Sequence, residues 1–500
     1  MRFLVAMALS VLALAAPAFA ADKPLVIVMN HEPETLDATK AINGVLTMPS
    51  MINIEEDLIG VDAAGNPAPG LATWKIAPDG MSIDVTVRPG VKFQSGDPFT
   101  ARDIVFSHER MASNPIYKSA TRGLDHVALV DDQTARFYFK HPDVTFLVRR
   151  ALIIVSKAYH DRVGEAEFVK HPVGTGPYKL VKYQPAQAME LEAFDGYWGG
   201  APSVKHVRLE FVNEGTTRVA KLRSGEADII LNTPYTDVEQ LKGEGFKMAM
   251  LDVTPTTSVG FIKENPHVPW HDIRVREGVA HAIDADAIVK GLFRGIPKHY
   301  AGFAPGQIGY DPSLKNYTYD PALAKKLLAE AGFAGGFKMP LTYWIGEDYG
   351  MRETAEAVAL YLKAVGIECA VQGMEVPKMV QIMRKNAKHP ELADTAGIGP
   401  TPYANYYEPI VALNFVFASS SPFSTYRNPA FDKLVGEAIE TFDVPKRAAL
   451  VRQAGRILHD DYVMIPIWNG VAVYAMKKNI DFRPTPHQLM RMEVKDVTVH

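Results

Sequence analysis

The chain has 500 residues, 47% of them hydrophobic and 22% charged, which excludes a disordered or collagen-like protein and suffices for about two to four folding units. Lys and Arg number 53 against 57 Asp and Glu, a net charge of -4, so no basic field draws the chain to nucleic acid or anionic lipid. Neither is expected as a partner.

Arg2 precedes an apolar run from Phe3 to Ala16, and Ala18-Phe19-Ala20 supplies the small residues that signal peptidase needs. Cleavage after Ala20 is predicted, because a bilayer span needs about 20 apolar residues and this run is shorter and broken by Pro17. The sole cysteine, Cys369, is far from that point, so no lipid anchor follows export and a freely diffusing periplasmic protein is expected. Cys369 alternates with Ile367 and Val371, the pattern of one buried strand face.

Leu25–Met29 reads as a strand and 43–58 as a helix carrying Ile52, Ile54 and Leu58 on its packed side. From Trp74 the pattern is strand, turn at Pro78-Asp79-Gly80, and strand with Ile83, Val85 and Val87 on one face. Thr100 and Asp103 form a capping box opening a helix with Ile104, Val105 and Met111. Hairpins follow around Asp131-Asp132 and between 178–183 and 188–193. Asp272, Asp284 and Asp320 each precede a helical pattern, the last bounded by Pro321 and Gly332. Strand 341–345, helix 352–365, Gly366 and strand 367–372 make a βαβ unit. Helices at 429–441 and 445–459 precede strands at 464–468 and 471–474.

Little in this order points to catalysis. Gly174-Thr175-Gly176 is followed by Pro177 and strand-like residues, leaving no helix N-terminus for a phosphate. His267 and His271 are four apart, but Pro266 and Pro269 place them in a loop, with no third ligand evident. No hydrolase or metalloprotease motif is present. No enzymatic activity, cofactor or metal is expected.

Three separated stretches stand out together. The first runs from Val87-Arg88-Pro89-Gly90 through Phe93-Gln94-Ser95-Gly96-Asp97 to Phe106-Ser107. The second is Gly174-Thr175-Gly176-Pro177-Tyr178, continued by Tyr197-Trp198-Gly199-Gly200 and by Leu222 to Asp228. The third is Ile273-Arg274-Val275-Arg276, then Ala282-Ile283-Asp284 and Gly309-Tyr310-Asp311-Pro312. Together they resemble the extracellular solute-binding proteins, family 5, the dipeptide-, oligopeptide- and nickel-binding components of ABC importers, and the resemblance implies an α/β, two-lobed periplasmic binding protein (type II, cluster C-like) with an extra subdomain inserted in the first lobe. It implies a signal peptide at 1–20, a first lobe at 21–262, a second at 263–483, and a tail at 484–500 returning to the first. Lobe closure would then follow from ligand touching both lobes.

By the same resemblance Arg352 stands where dipeptide binders hold the ligand's α-carboxylate, a task suited to a planar guanidinium fork; a solvated Arg paired with Glu353 or Glu356 is the alternative. Those binders hold the ligand's amine with a Trp- and Asp-bearing segment, and here the run Gly397 to Pro409 has neither. Tyr403, Asn405, Tyr406 and Tyr407 suggest stacking and neutral hydrogen bonds instead. Glu32, Trp344 and Trp468, at strand ends, are further ligand-binding candidates. The expectation is a receptor for a peptide-like or other small polar or anionic solute, delivering it to permease subunits at the inner membrane. An opine, sugar or metal-chelate receptor and, from another class, a secreted hydrolase are the rivals.

Overall fold

The computed structural model describes residues 23–41, 44–62, 66–114, 117–118, 121, 123–149, 152–252, 256–261, 264–345, 350–389, 394, 396–401, 408–484 and 492–500. The predicted cleavage point after Ala20 lies outside them, as do Tyr403, Asn405, Tyr406 and Tyr407.

Three main sheets organise the chain. The first has seven strands in the order Lys247–Leu251, Ala472–Met476, Ile229–Ile230, Leu25–Met29, His206–Phe211, Ala188–Ala193, Tyr178–Gln184. Leu25–Met29 is apolar and buried throughout because it runs parallel between two inner strands covered on both faces. The second has five, in the order Ile367–Glu375, Phe337–Ile345, Ala396–Thr401, Thr256–Phe261, Met464–Asn469. The helix Met351–Lys363 crosses over between the parallel strands Phe337–Ile345 and Ile367–Glu375, burying Met351, Thr354, Ala355, Val358 and Leu362 at helical spacing. The third sheet is an antiparallel insert, Ala72–Ile76, Ser82–Val87, Thr134–Phe139 and Leu124–Leu129, with its own core around Val85, Phe93 and Phe137. Its helix Ala101–Met111 begins as expected, Asp103 accepting the backbone N–H of Thr100 at 2.9 Å. The fold is thus two α/β lobes with an insert in the first.

Several expectations change. Sheet membership switches between Leu251 and Thr256 and again between Asn469 and Ala472, ahead of the 262/263 and 483/484 boundaries read from the sequence. Extended apolar segments fit either sheet equally well, so periodicity does not say which one they join. Near the end of the chain, the Met492 carbonyl accepts from Asn53 Nδ2 at 2.9 Å and Val494 N donates to Asn53 Oδ1 at 2.9 Å. The first helix is only Gly44–Met51, although Ile52, Ile54 and Leu58 are buried as expected. Cys369 is half-buried rather than buried, since Ile367–Glu375 is an edge strand; burial still pushes its thiol up to about 11.

The insert is bolted to the first lobe by buried polar groups. Glu56 accepts from Trp198 Nε1, Thr175 Oγ1 and the Tyr197 hydroxyl, each at 2.9 Å. Gln94 Nε2 donates to the carbonyls of Ile54, Gly176 and Tyr178 at 3.1, 3.0 and 2.6 Å. Arg110 bridges Asp37, whose side chain is 1% exposed, and Glu165. Here the Gly174-Thr175-Gly176 run finds its reason: a Cβ on Gly174 would lie 2.1 Å from the Ile54 carbonyl oxygen, so only glycine lets the two backbones meet.

Candidate functional site

The strand registers bring the carboxyl edges of the two large sheets to one junction. In the first, Leu25–Met29 runs parallel to His206–Phe211 and Ile229–Ile230, while Leu251 pairs with Ala472. In the second, Thr256 pairs with both Thr401 and Asn469. The chain therefore leaves the carboxyl edge of one parallel set at Leu251 and is next described entering that of the other at Thr256, and it returns from Asn469 to Ala472 in the same way. Ligands of open α/β sheets bind beyond the carboxyl ends of their strands, where loops diverge and leave a crevice.

On the first-lobe side, Arg218 is fully buried and ties together the loops after two parallel strands. Its Nη1 donates to the Val212 and Asn213 carbonyls at 2.9 and 2.6 Å, Nε to Leu231 at 3.0 Å and Nη2 to Asn232 at 2.8 Å. A guanidinium's fixed fork of donors suits such a cross-tie. The loop it holds presents Asn232, at φ +50°, and Thr233; the Asn232 amide nitrogen and Thr233 hydroxyl are buried without a protein partner.

At the crossings, the Tyr235 hydroxyl donates to the Val471 carbonyl and accepts from the Val471 N–H, both at 2.9 Å. Burial pushes this phenol up to about 12, so it stays a neutral donor. Its ring meets Phe293 of the second lobe edge-on, centroids 5.9 Å apart. Asn469 Nδ2 donates to Thr256 Oγ1 at 2.7 Å and its Oδ1 accepts from Tyr300 N at 3.3 Å. Two neutral side chains thus fix where the chain passes between lobes.

The structure places the sequence candidates unevenly. Arg352 lies in the first turn of Met351–Lys363, on the carboxyl side of the strand Phe337–Ile345; its side chain is exposed and Nε donates to Glu356 at 2.9 Å. Trp344 is half-buried and its indole covers Gly399 of the next strand, where a Cβ would lie 2.7 Å from Nε1. Ser258 pairs with Gly399 and therefore shares that sheet face; its hydroxyl is buried without a partner. Glu32 is engaged in structure, accepting from the Tyr183 hydroxyl at 3.1 Å and from Ala186 N at 2.7 Å in the turn where Ala186 has φ +57°. Trp468 is 1% exposed and packs in the second-lobe core. Its Nε1 donates to Thr354 Oγ1 at 3.1 Å, and that hydroxyl to the Gly350 carbonyl at 2.7 Å, bracing the helix that carries Arg352.

Sequence reasoning missed Asn232, Thr233, Tyr235 and Asn469. The available signal was position: polar residues directly after a short buried apolar strand, as Asn232 follows Ile229–Ile230 and Leu231. A cavity of about 260 Å³, lined in part by His299, Tyr310, Lys315, Arg452 and His459, sits elsewhere, against the outer edge of the second sheet at Met464 and Pro466. Among the described residues no three His, Cys, Asp or Glu are placed to hold a metal ion, and no helix is long and apolar enough to cross a membrane.

Comparison with known proteins agrees with this architecture. The profile of the bacterial extracellular solute-binding proteins, family 5 Middle, matches residues 66–411. The chain is 30% identical to Heme-binding protein A of Haemophilus influenzae over 81% of its own length and 79% of that protein's. It is 27% identical to the Dipeptide-binding protein of Escherichia coli over 94% of each. Among solved structures, the periplasmic binding protein DppA of Helicobacter pylori in complex with the peptide STSA superposes with a TM-score of 0.82 at 22% identity, covering 95% of this chain and 98% of that one. By its sequence motifs, its two joined sheets and these matches, the chain belongs to the bacterial extracellular solute-binding proteins of family 5.

Proposed function

We propose that the protein is a periplasmic receptor of an ABC importer. It is exported by a signal peptide cleaved after Ala20, captures a small peptide-like or other polar or anionic solute between its lobes, and hands it to the permease without chemical change. The observation that carries this reading is the junction itself: two carboxyl sheet edges facing one another across short crossings, with the polar groups of Asn232, Thr233 and Ser258 buried there without partners. Buried polar atoms without partners cost free energy unless something bonds them. A ligand's amide and carboxylate groups supply such bonds as the lobes close. Arg352 is the proposed carboxylate clamp, and the loss of Trp and Asp from the 397–409 run makes a free amine dispensable in the ligand. The relative named for heme supports a second cargo, since heme also offers carboxylates to an arginine.

Calorimetric titration of the mature protein with alanyl-alanine, its N-acetyl form and heme separates these readings. Comparable affinity for the free and acetylated dipeptide is expected. Arg352→Ala weakens binding more than about tenfold, and Arg352→Lys recovers part of the loss because lysine keeps the charge but not the fork. Binding abolished by acetylation overturns the missing-amine reading; Arg352→Ala binding within about threefold of wild type returns that residue to a surface ion pair.

A further inference from the structure

The insert touches the second lobe at a place none of the roles above requires. Beyond the strand Thr134–Phe139, buried Asp143 caps the short helix Thr145–Arg149, its Oδ1 accepting from Thr145 N at 2.8 Å. The next residue, Val144, donates its backbone N–H to the carbonyl of Ile439 at 2.9 Å. Ile439 is in the last turn of the second-lobe helix Pro429–Glu440, where carbonyls have no partner within their own helix. Two residues beyond that helix, Phe442 packs against the insert's core. It meets Gly80, where a Cβ would lie 3.3 Å from the Phe442 ring and 3.0 Å from Pro142. The helix Thr145–Arg149 lies beside Ile410–Ala412 of the second lobe.

Both sides of this contact are braced from behind. Arg447 donates through Nη1 to the Thr441 and Phe442 carbonyls at 2.9 and 3.1 Å and through Nε to Glu408 at 3.0 Å, with both charged side chains no more than 5% exposed. The turn presenting Phe442 is therefore rigid on its own lobe, as the Asp143 cap is on the insert. Preformed surfaces dock with little ordering cost.

We infer that Val144 and Pro142 of the insert, with Ile439 and Phe442 of the second lobe, form a latch that stabilises the lobe arrangement of this structure. Lobes joined only by crossings turn freely about them, whereas a second contact away from the crossings selects one orientation. Apparent affinity scales with the fraction of protein already in the binding-competent state. The latch therefore tunes affinity through residues that touch no ligand, and in that respect it rests on the reading that the lobes close on a solute. The contact is small: one backbone hydrogen bond, the Phe442 ring, the flank of a short helix and an exposed His141–Glu440 pair at 3.9 Å, so it can open.

Hydrogen exchange of the ligand-free, full chain tests the latch without any solute, so its failure leaves the binding reading standing. The reporter is the Val144 amide, compared in wild type, Phe442→Ala and Phe442→Leu, with the amides of Leu25–Met29 as a measure of the fold. Phe442→Ala is expected to speed Val144 exchange roughly tenfold, Phe442→Leu less, and the strand amides not at all. A Val144 amide that exchanges equally in all three proteins overturns the latch, as does one unprotected in wild type. Should Phe442→Ala also loosen Leu25–Met29, the milder Phe442→Leu decides on the same criterion.

Discussion

Two joints hold this molecule together, and they are built from different chemistry. The seam between insert and first lobe buries charge: Glu56 among three donors, and Asp37 against Arg110. The crossings between lobes use neutral groups: the Tyr235 hydroxyl and the Asn469 amide. Separating a buried ion from its partner strands a charge in an apolar medium, whereas a neutral hydrogen bond can be exchanged for water at small net loss. The first joint is permanent and the second reversible, as a receptor that opens and closes about one rigid lobe requires.

The seam should therefore give the largest effects. Arg110→Ala leaves the Asp37 carboxylate buried and unpaired, with an expected loss of about 3 to 5 kcal/mol in urea unfolding; a loss below about 1 kcal/mol would erase the distinction between the joints. Next comes pH. Burial, outweighing its three donors, raises Glu56 to about 7, above its unfolded value. Folding thus binds a proton, and the associated stability is complete below about pH 4.5 and lost as pH rises through about 7. The stability of wild type relative to Glu56→Gln should fall by about 3 kcal/mol between pH 4.5 and 8. Parallel pH profiles for the two proteins would break the assignment.

At the junction the effects shrink. Tyr235→Phe removes both bonds to Val471 and should cost about 1 kcal/mol while raising exchange at the Val471 amide; unchanged exchange there would deny the hydroxyl its place at the crossing. Smallest is Arg352→Ala: its exposed pair with Glu356 predicts an unaltered melting temperature, so any loss of binding belongs to the ligand and not to the fold.

The contrast also explains what the sequence discloses. Local chemistry is legible: the Thr100 and Asp103 box, the Asp272, Asp284 and Asp320 caps, and the Gly366 turn all stand where they were read. These depend on residues a few positions apart. The junction is not legible, because Tyr235 and Val471 are 236 residues apart and nothing in either neighbourhood marks the other. Trp468 is a strand end in sequence, and its packing inside the core against Thr354, 114 residues away, is equally hidden there. Arg352 stands in the first turn of the crossover helix, a position that follows from the βαβ pattern, and its partner Glu356 follows from helical spacing.

The returning strand Ala472–Met476 has a consequence for how the protein is made. It lies between Lys247–Leu251 and Ile229–Ile230, and Lys247–Leu251 has no other neighbour in the sheet. Lys477, at its end, closes an ion pair with Asp228 across 249 residues of chain. Until synthesis passes this strand, the first sheet has a gap, an unattached edge strand and open backbone groups on either side. Pairings of such long range form late and slowly. A growing chain therefore cannot complete the first lobe before the second has been made, and the two lobes, independent in their cores, share one final folding step.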